Sequence, residues 1–193
     1  MYFAYSFGMM KITVHKNIIK QRSSPGFTLV ELMVVIAILG IMALMVIPNF
    51  ASMQQQARMR AGAQEIAQDF RQIRERALAT SQQYMVMRAV SGRAYEVTDP
   101  TGYVTEYKLG HSGGNLYFGT SGVPAAGPPE AGANPIPADG WGFTDGVLYF
   151  RARGAATQGV AYLTNGKDDY AVGVNRLGKV RVYQYSGGQW NAK

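Results

Sequence analysis

The feature that most constrains this chain is one apolar run, FTLVELMVVIAILGIMALMVIPNF, at residues 27–50. From Leu32 to Ile47 it carries no charged or strongly polar side chain. A helix rises about 1.5 Å per residue, and roughly 17–25 mainly apolar residues cross a bilayer. Residues 27–50 therefore predict a transmembrane helix, with Gly40 and Pro48 as weak points inside it. Two features set the run apart from an ordinary anchor. Its punctuation, Ser23-Ser24-Pro25-Gly26, comes before the apolar core, whereas a secretory signal places small cleavable residues after it. Its head also carries a carboxylate, Glu31. An acid in the bilayer core costs about 2.5–3.5 kcal/mol on insertion scales and calls for a partner, whereas one near a helix end snorkels to the headgroups.

The charge distribution sets an orientation. The formal net charge is +7, from 19 Lys and Arg against 12 Asp and Glu, and the first 26 residues hold Lys11, Lys16, Lys20 and Arg22 with no acid. Lys and Arg stay cytoplasmic, so the chain after the run is expected outside. There are no cysteines among the 193 residues, which excludes disulfides, Cys-ligated zinc and thiol catalysis.

Beyond Pro48 the pattern stays helical. Met59, Ile66, Phe70, Ile73 and Ala77 form one stripe, and Arg58, Gln64, Glu65, Arg71, Arg74 and Glu75 occupy the other face. Arg71 and Glu75 are spaced to pair one turn apart. A single helix from about Thr28 to Ala79 is expected, apolar all round in its first half and amphipathic in its second. From Tyr84 the period changes to short β-prone runs: 84–89, 94–98, 104–109, 147–150, 160–163, 170–174 and 179–183, with Asn165-Gly166 as a tight turn. Residues 119–140, rich in Gly, Pro and Ala, predict a long flexible surface loop poorly able to pack. The fold class is α+β, a long N-terminal helix packed on antiparallel sheet.

The head of the run, Gly26-Phe27-Thr28-Leu29-Val30-Glu31, resembles the processing motif of type IV pilins and type II secretion pseudopilins. The resemblance implies a basic leader (1–26) removed between Gly26 and Phe27 by a membrane prepilin peptidase, and N-methylation of the new Phe27 amine. It implies a membrane and filament-core helix (27–50), an amphipathic continuation (51–81) and a globular β domain (82–193). It further implies that Glu31 pairs with the Phe27 amine of a neighbouring subunit as chains leave lipid for a filament. Gly40 and Pro48 then either allow local melting in the filament or are simply tolerated in a membrane helix.

In the soluble half, Phe150-Arg-Ala-Arg-Gly154 and Gly178-Lys179-Val180-Arg181 resemble the GspH/FimT type of minor pilin, as does the arginine-bearing helix segment Phe70–Ala77. Such proteins are single-pass inner-membrane subunits with the C-terminal domain periplasmic, later joining a periplasmic or surface filament. They assist filament initiation in a secretion or pilus system, and some bind DNA during natural transformation. DNA-binding members carry Gly-Arg-x-Arg where this chain has Lys179 first. Arg176, Lys179, Arg181 and Lys193 would then supply cations, with Tyr183, Tyr185 and Trp190 as stacking surfaces. Lys on an edge strand also merely discourages aggregation, and Lys179 lacks the bidentate fork of Arg. No enzyme, cofactor or small-molecule substrate is expected. Outside the leader His111 is the lone histidine, and Asp168-Asp169 beside Asn165 lack EF-hand spacing and are expected at a solvated hairpin tip.

Overall fold

The computed structural model describes residues 26–110, 115–123 and 126–193, with the side chains of residues 44–51 excepted. The leader up to Pro25 and His111 lie outside the described residues. The chain divides into two compact units, 1–44 and 45–193.

One helix, α1, runs Leu29–Thr80 and is continuous through Gly40 and Pro48. In the first unit Thr28 caps it: the Thr28 Oγ1 accepts the Glu31 backbone N–H at 3.1 Å. Between Phe27 and Met42 the large apolar side chains are exposed. Among the described residues no helix is long and apolar enough to cross a membrane.

In the second unit the amphipathic stripe is buried as its spacing predicts. Met59, Ile66, Phe70, Ile73 and Ala77 are all covered, joined by Ala63 and Ala67. They pack against two antiparallel sheets. The first has the strand order β3-β2-β1-β6, built from β1 (Tyr84–Arg88), β2 (Ala94–Thr98), β3 (Val104–Lys108) and β6 (Val147–Phe150). The second has the order β10-β9-β8-β7-β4, with β5 also on β7. Its strands are β4 (Tyr117–Phe118), β5 (Trp141–Phe143), β7 (Gly159–Thr164), β8 (Asp169–Val174), β9 (Val180–Ser186) and β10 (Gln189–Ala192). Phe70 joins the sheets to the helix: its ring meets Tyr95 and Phe150 of the first sheet and Trp141 of the second, with centroids 5.8–6.4 Å apart and edge-on.

Part of the segment expected to pack poorly is packed: Pro128, Glu130 and Gly140 are buried, while Ala126, Pro129 and residues 132–135 stay exposed. Residues 126–137 lie over the face of the second sheet turned away from α1, with a short 3-10 turn at Pro129–Ala131 and Glu130 only 6% exposed. Small side chains make this close approach feasible: a β-carbon at Gly127 would collide with the Tyr162 hydroxyl and the Ala131 side chain. Composition reported the weak intrinsic packing of Gly, Pro and Ala; it did not report that the sheet opposite is shaped to receive them.

Candidate functional site

The processing segment is accessible. Gly26, Phe27 and Thr28 are exposed and precede the first helical turn, and Phe27 is 81% exposed. Glu31 is the acid of that first turn. Thr28-x-x-Glu31 has the spacing of a capping box, in which a Thr side chain satisfies the N–H three residues on. A carboxylate in the first turn also meets the positive end of the helix dipole. Glu31 thus has a local stabiliser in addition to any partner. The Thr-x-x-Glu spacing was the sequence signal for this cap.

The C-terminal motif is held by α1 rather than presented freely. The Arg74 guanidinium donates to two backbone carbonyls, Nε to Gly154 O at 3.1 Å and Nη2 to Leu177 O at 3.4 Å. Arg71 Nη2 donates to Val180 O at 3.3 Å. The expected Arg71–Glu75 pair is therefore not the one formed: Glu75 sits 3.5 Å from Arg74 instead. The reason is energetic, since an exposed helix pair is worth a few tenths of a kcal/mol, less than a charged hydrogen bond to a carbonyl. Gly178 has φ +73°, and a β-carbon there would collide with Gly154 O and approach Arg74 Nε to 2.5 Å. The glycines of both motif halves thus make room for Arg74. Only the arginine-bearing segment as a whole pointed to this role.

The candidate cations divide. Arg176 and Lys179 are exposed at the β8–β9 turn, where Asn175 Oδ1 accepts the Leu177 and Lys179 N–H groups. Arg181, on β9, lies 3.8 Å from the Glu130 carboxylate. The neighbouring Tyr183 hydroxyl and then Glu130 hold its guanidinium above the usual Arg range. Tyr183 donates its hydroxyl to Glu130 Oε1 at 3.0 Å, and burial raises its own pKa. Trp190 packs on Tyr162 and Tyr185, with its indole N–H donated to Ala126 O at 3.1 Å. Lys193, exposed, follows β10.

The two aspartates serve different neighbours. Asp169 is buried and accepts the Ser121 N–H at 2.8 Å and its hydroxyl at 2.5 Å. Asp168 faces Asn165 and Gln56 at 3.4 and 3.5 Å. Asn165 Oδ1 accepts two N–H groups of its own turn, closing the hairpin between β7 and β8. Elsewhere, Tyr95 donates a very short hydrogen bond to Asp69, and burial followed by that bond pushes its pKa far up.

Residues 21–47 match the family described as the prokaryotic N-terminal methylation motif. No curated protein matches the chain. Among solved structures, the chain is similar to the type IV minor pilin FimU of Pseudomonas aeruginosa, at 10% identity and a TM-score of 0.46, covering 72% of this chain and 96% of that one. It is also similar to the minor pseudopilin EpsH from the type 2 secretion system of Vibrio cholerae, at 14% identity and a TM-score of 0.43, covering 68% and 99%. The chain carries, on residues 21–47, the N-methylation motif of prokaryotic prepilins.

Proposed function

We propose that this chain is a minor pilin or pseudopilin subunit. In this reading it is inserted through residues 27–50, cleaved between Gly26 and Phe27 by prepilin peptidase, and methylated at Phe27. It then helps initiate a type II secretion or type IV pilus filament. The match at residues 21–47 is the observation that carries the reading. The exposed Gly26-Phe27 bond and the uncovered apolar side chains that follow support it. Its role is structural, not catalytic.

Within this reading Glu31 is the assembly residue. Cleavage creates a cationic amine one turn from Glu31, and a neighbour's amine would neutralise this acid as subunits leave lipid. A filament contact of this kind is heterologous and need not close. Co-expression with a prepilin peptidase is expected to remove residues 1–26 and add one methyl group, read by intact mass. Glu31→Ala and Glu31→Lys are expected to be cleaved normally but to enter filaments poorly. An uncleaved chain would overturn the processing reading, and normal incorporation of both variants would overturn the role of Glu31.

A second reading, DNA uptake, draws on Arg176 and Lys179, which are exposed and in no ion pair among the described residues. It is weakened by the engagement of Arg181 with Glu130. Salt-sensitive retention of single-stranded DNA by the full-length protein, lost in Lys179→Ala, would favour it. Absence of retention at low salt leaves the assembly role alone.

A further inference from the structure

The β7–β8 hairpin meets α1 where the helix first becomes covered. Among the described residues Met59 is the first of α1 to be buried, and Gln56, one turn earlier, donates its side-chain amide to Asp168 at 3.5 Å. A cavity of about 270 Å³ opens at this junction. Its floor is apolar, since Met59 and Leu116 are at most 3% exposed. Leu116 lies so close over α1 that a β-carbon at Gly62 would collide with it at 2.5 Å. The walls are Gln55 and Arg58 from α1, Asn165 and Lys167 from the hairpin tip, and Asn115.

Two cations and three amides make these walls, and no carboxylate lines the cavity. Arg58 and Lys167 are exposed and in no ion pair among the described residues. Asp168, next to Lys167 in the chain, is turned to Gln56 and Asn165. The tip is preformed: Asn165 Oδ1 accepts the Lys167 and Asp168 N–H groups at 2.9 and 2.8 Å, which fixes the backbone that carries Lys167. Arg presents a planar fork to two phosphate oxygens, and Lys a point charge. Two unopposed cations above an apolar floor match an anion that is joined to apolar chains. The sequence points to the source of such an anion, because no charged residue lies between Glu31 and Arg58. A helix of that length rises about 40 Å, close to the roughly 40–45 Å of a bilayer with both headgroup layers.

We propose that this cavity holds the headgroup of an anionic phospholipid from the outward-facing leaflet, with Arg58 and Lys167 on the phosphate and Met59 and Leu116 beneath its glycerol and first methylenes. The proposal rests on the reading that residues 27–50 are inserted in the membrane. It adds a function beyond anchoring: the bound lipid sets the depth at which the domain is held. That contact must then be given up when the helix leaves lipid for a filament.

The test titrates a short-chain phosphatidylglycerol into the full-length chain in neutral detergent and counts bound lipid by native mass spectrometry. Each cation beside an anionic headgroup is worth about fivefold in affinity, so Arg58→Gln combined with Lys167→Gln is expected to bind about 25-fold more weakly. Arg93→Gln combined with Arg153→Gln removes the same charge from exposed positions elsewhere and should bind as the wild type does. Equal weakening by both pairs would reduce the effect to net charge, and no weakening by the first pair would likewise overturn the site. Glycerol phosphate, the headgroup without its chains, should bind far more weakly than the lipid. If it or inorganic phosphate binds as well, the ligand is a soluble anion and the lipid is excluded. Carbonate extraction of membranes from expressing cells checks the underlying reading by itself. A chain that is extracted overturns insertion and the lipid with it, whereas an inserted chain whose lipid binding ignores Arg58 and Lys167 overturns this site alone.

Discussion

Two apolar stretches, one along α1 and one running into its start, meet opposite fates. From Met59 to Ala77 every residue of the apolar stripe is at most 2% exposed. From Phe27 to Met42 a dozen large apolar side chains are between 47% and 81% exposed. Burying one such side chain is worth about 1.5–3 kcal/mol, so a dozen represent more than the entire 5–15 kcal/mol stability of an ordinary domain. The difference lies in the pattern. Residues 59–77 confine their apolar groups to one stripe, which the two sheets consume. Residues 27–42 are apolar on all sides, so no single sheet face would cover them. A surface of that kind calls for a solvent or a partner that surrounds the helix, such as lipid or other helices of a filament.

The sharpest way to break this contrast is truncation in each stretch. Phe70→Ala removes the ring that touches both sheets and is expected to cost about 3–5 kcal/mol in unfolding of the domain. Ile38→Ala, in the uncovered stretch, should shift the same transition by less than about 0.5 kcal/mol. Chemical denaturation of the full-length protein in detergent, followed by Trp141 near-ultraviolet dichroism, reads both. Equal effects would mean that the first stretch also belongs to the domain core.

Glycine gives a second contrast, in which one substitution changes sign. Gly178→Ala places a β-carbon at positive φ against Gly154 O and Arg74. Strain of about 1–2 kcal/mol plus overpacking of about 1–3 kcal/mol predicts a loss of roughly 2–5 kcal/mol. Gly40→Ala meets nothing within 4 Å and should instead stabilise its helix by about 0.5–1 kcal/mol. Melting of the variants side by side tests both signs. A neutral Gly178→Ala would show that the Arg74 anchorage yields easily.

How much of this was legible in the sequence follows the range of the forces involved. The helix stripe and the runs at β1, β2, β3, β6, β7, β8 and β9 stand out because their alternation is local. The short strands β4, β5 and β10 do not: Tyr117–Phe118 is two residues, Trp141–Phe143 contains a glycine, and Gln189–Ala192, though it alternates, is only four residues with a single large apolar side chain. Each is a strand because a neighbour's edge is available. The motif at residues 21–31 was legible because its chemistry is written in consecutive residues. Glu130 was not, because its partners Gly173, Arg181 and Tyr183 lie more than forty positions away. The alternation of small Asp169, Ala171 and Gly173 with large Tyr170, Val172 and Val174 was visible, but its cause was the segment that fills it.

The smallest expected effect separates the two roles open to Glu31. If Glu31 matters only as part of the helix cap, then removing the other half of that cap should reproduce its loss. Thr28→Ala removes the oxygen that accepts the Glu31 N–H and is expected to cost about 1 kcal/mol of first-turn stability. Faster amide exchange at residues 29–31 would report it. A cost of that size frays one turn while leaving the carboxylate, its charge and its place after Phe27 intact. A pair between Glu31 and a neighbour's amine should therefore survive Thr28→Ala and fail in Glu31→Ala. Normal filament incorporation of Thr28→Ala beside poor incorporation of Glu31→Ala would assign the carboxylate to contact between subunits. Equal loss in both would return it to the cap.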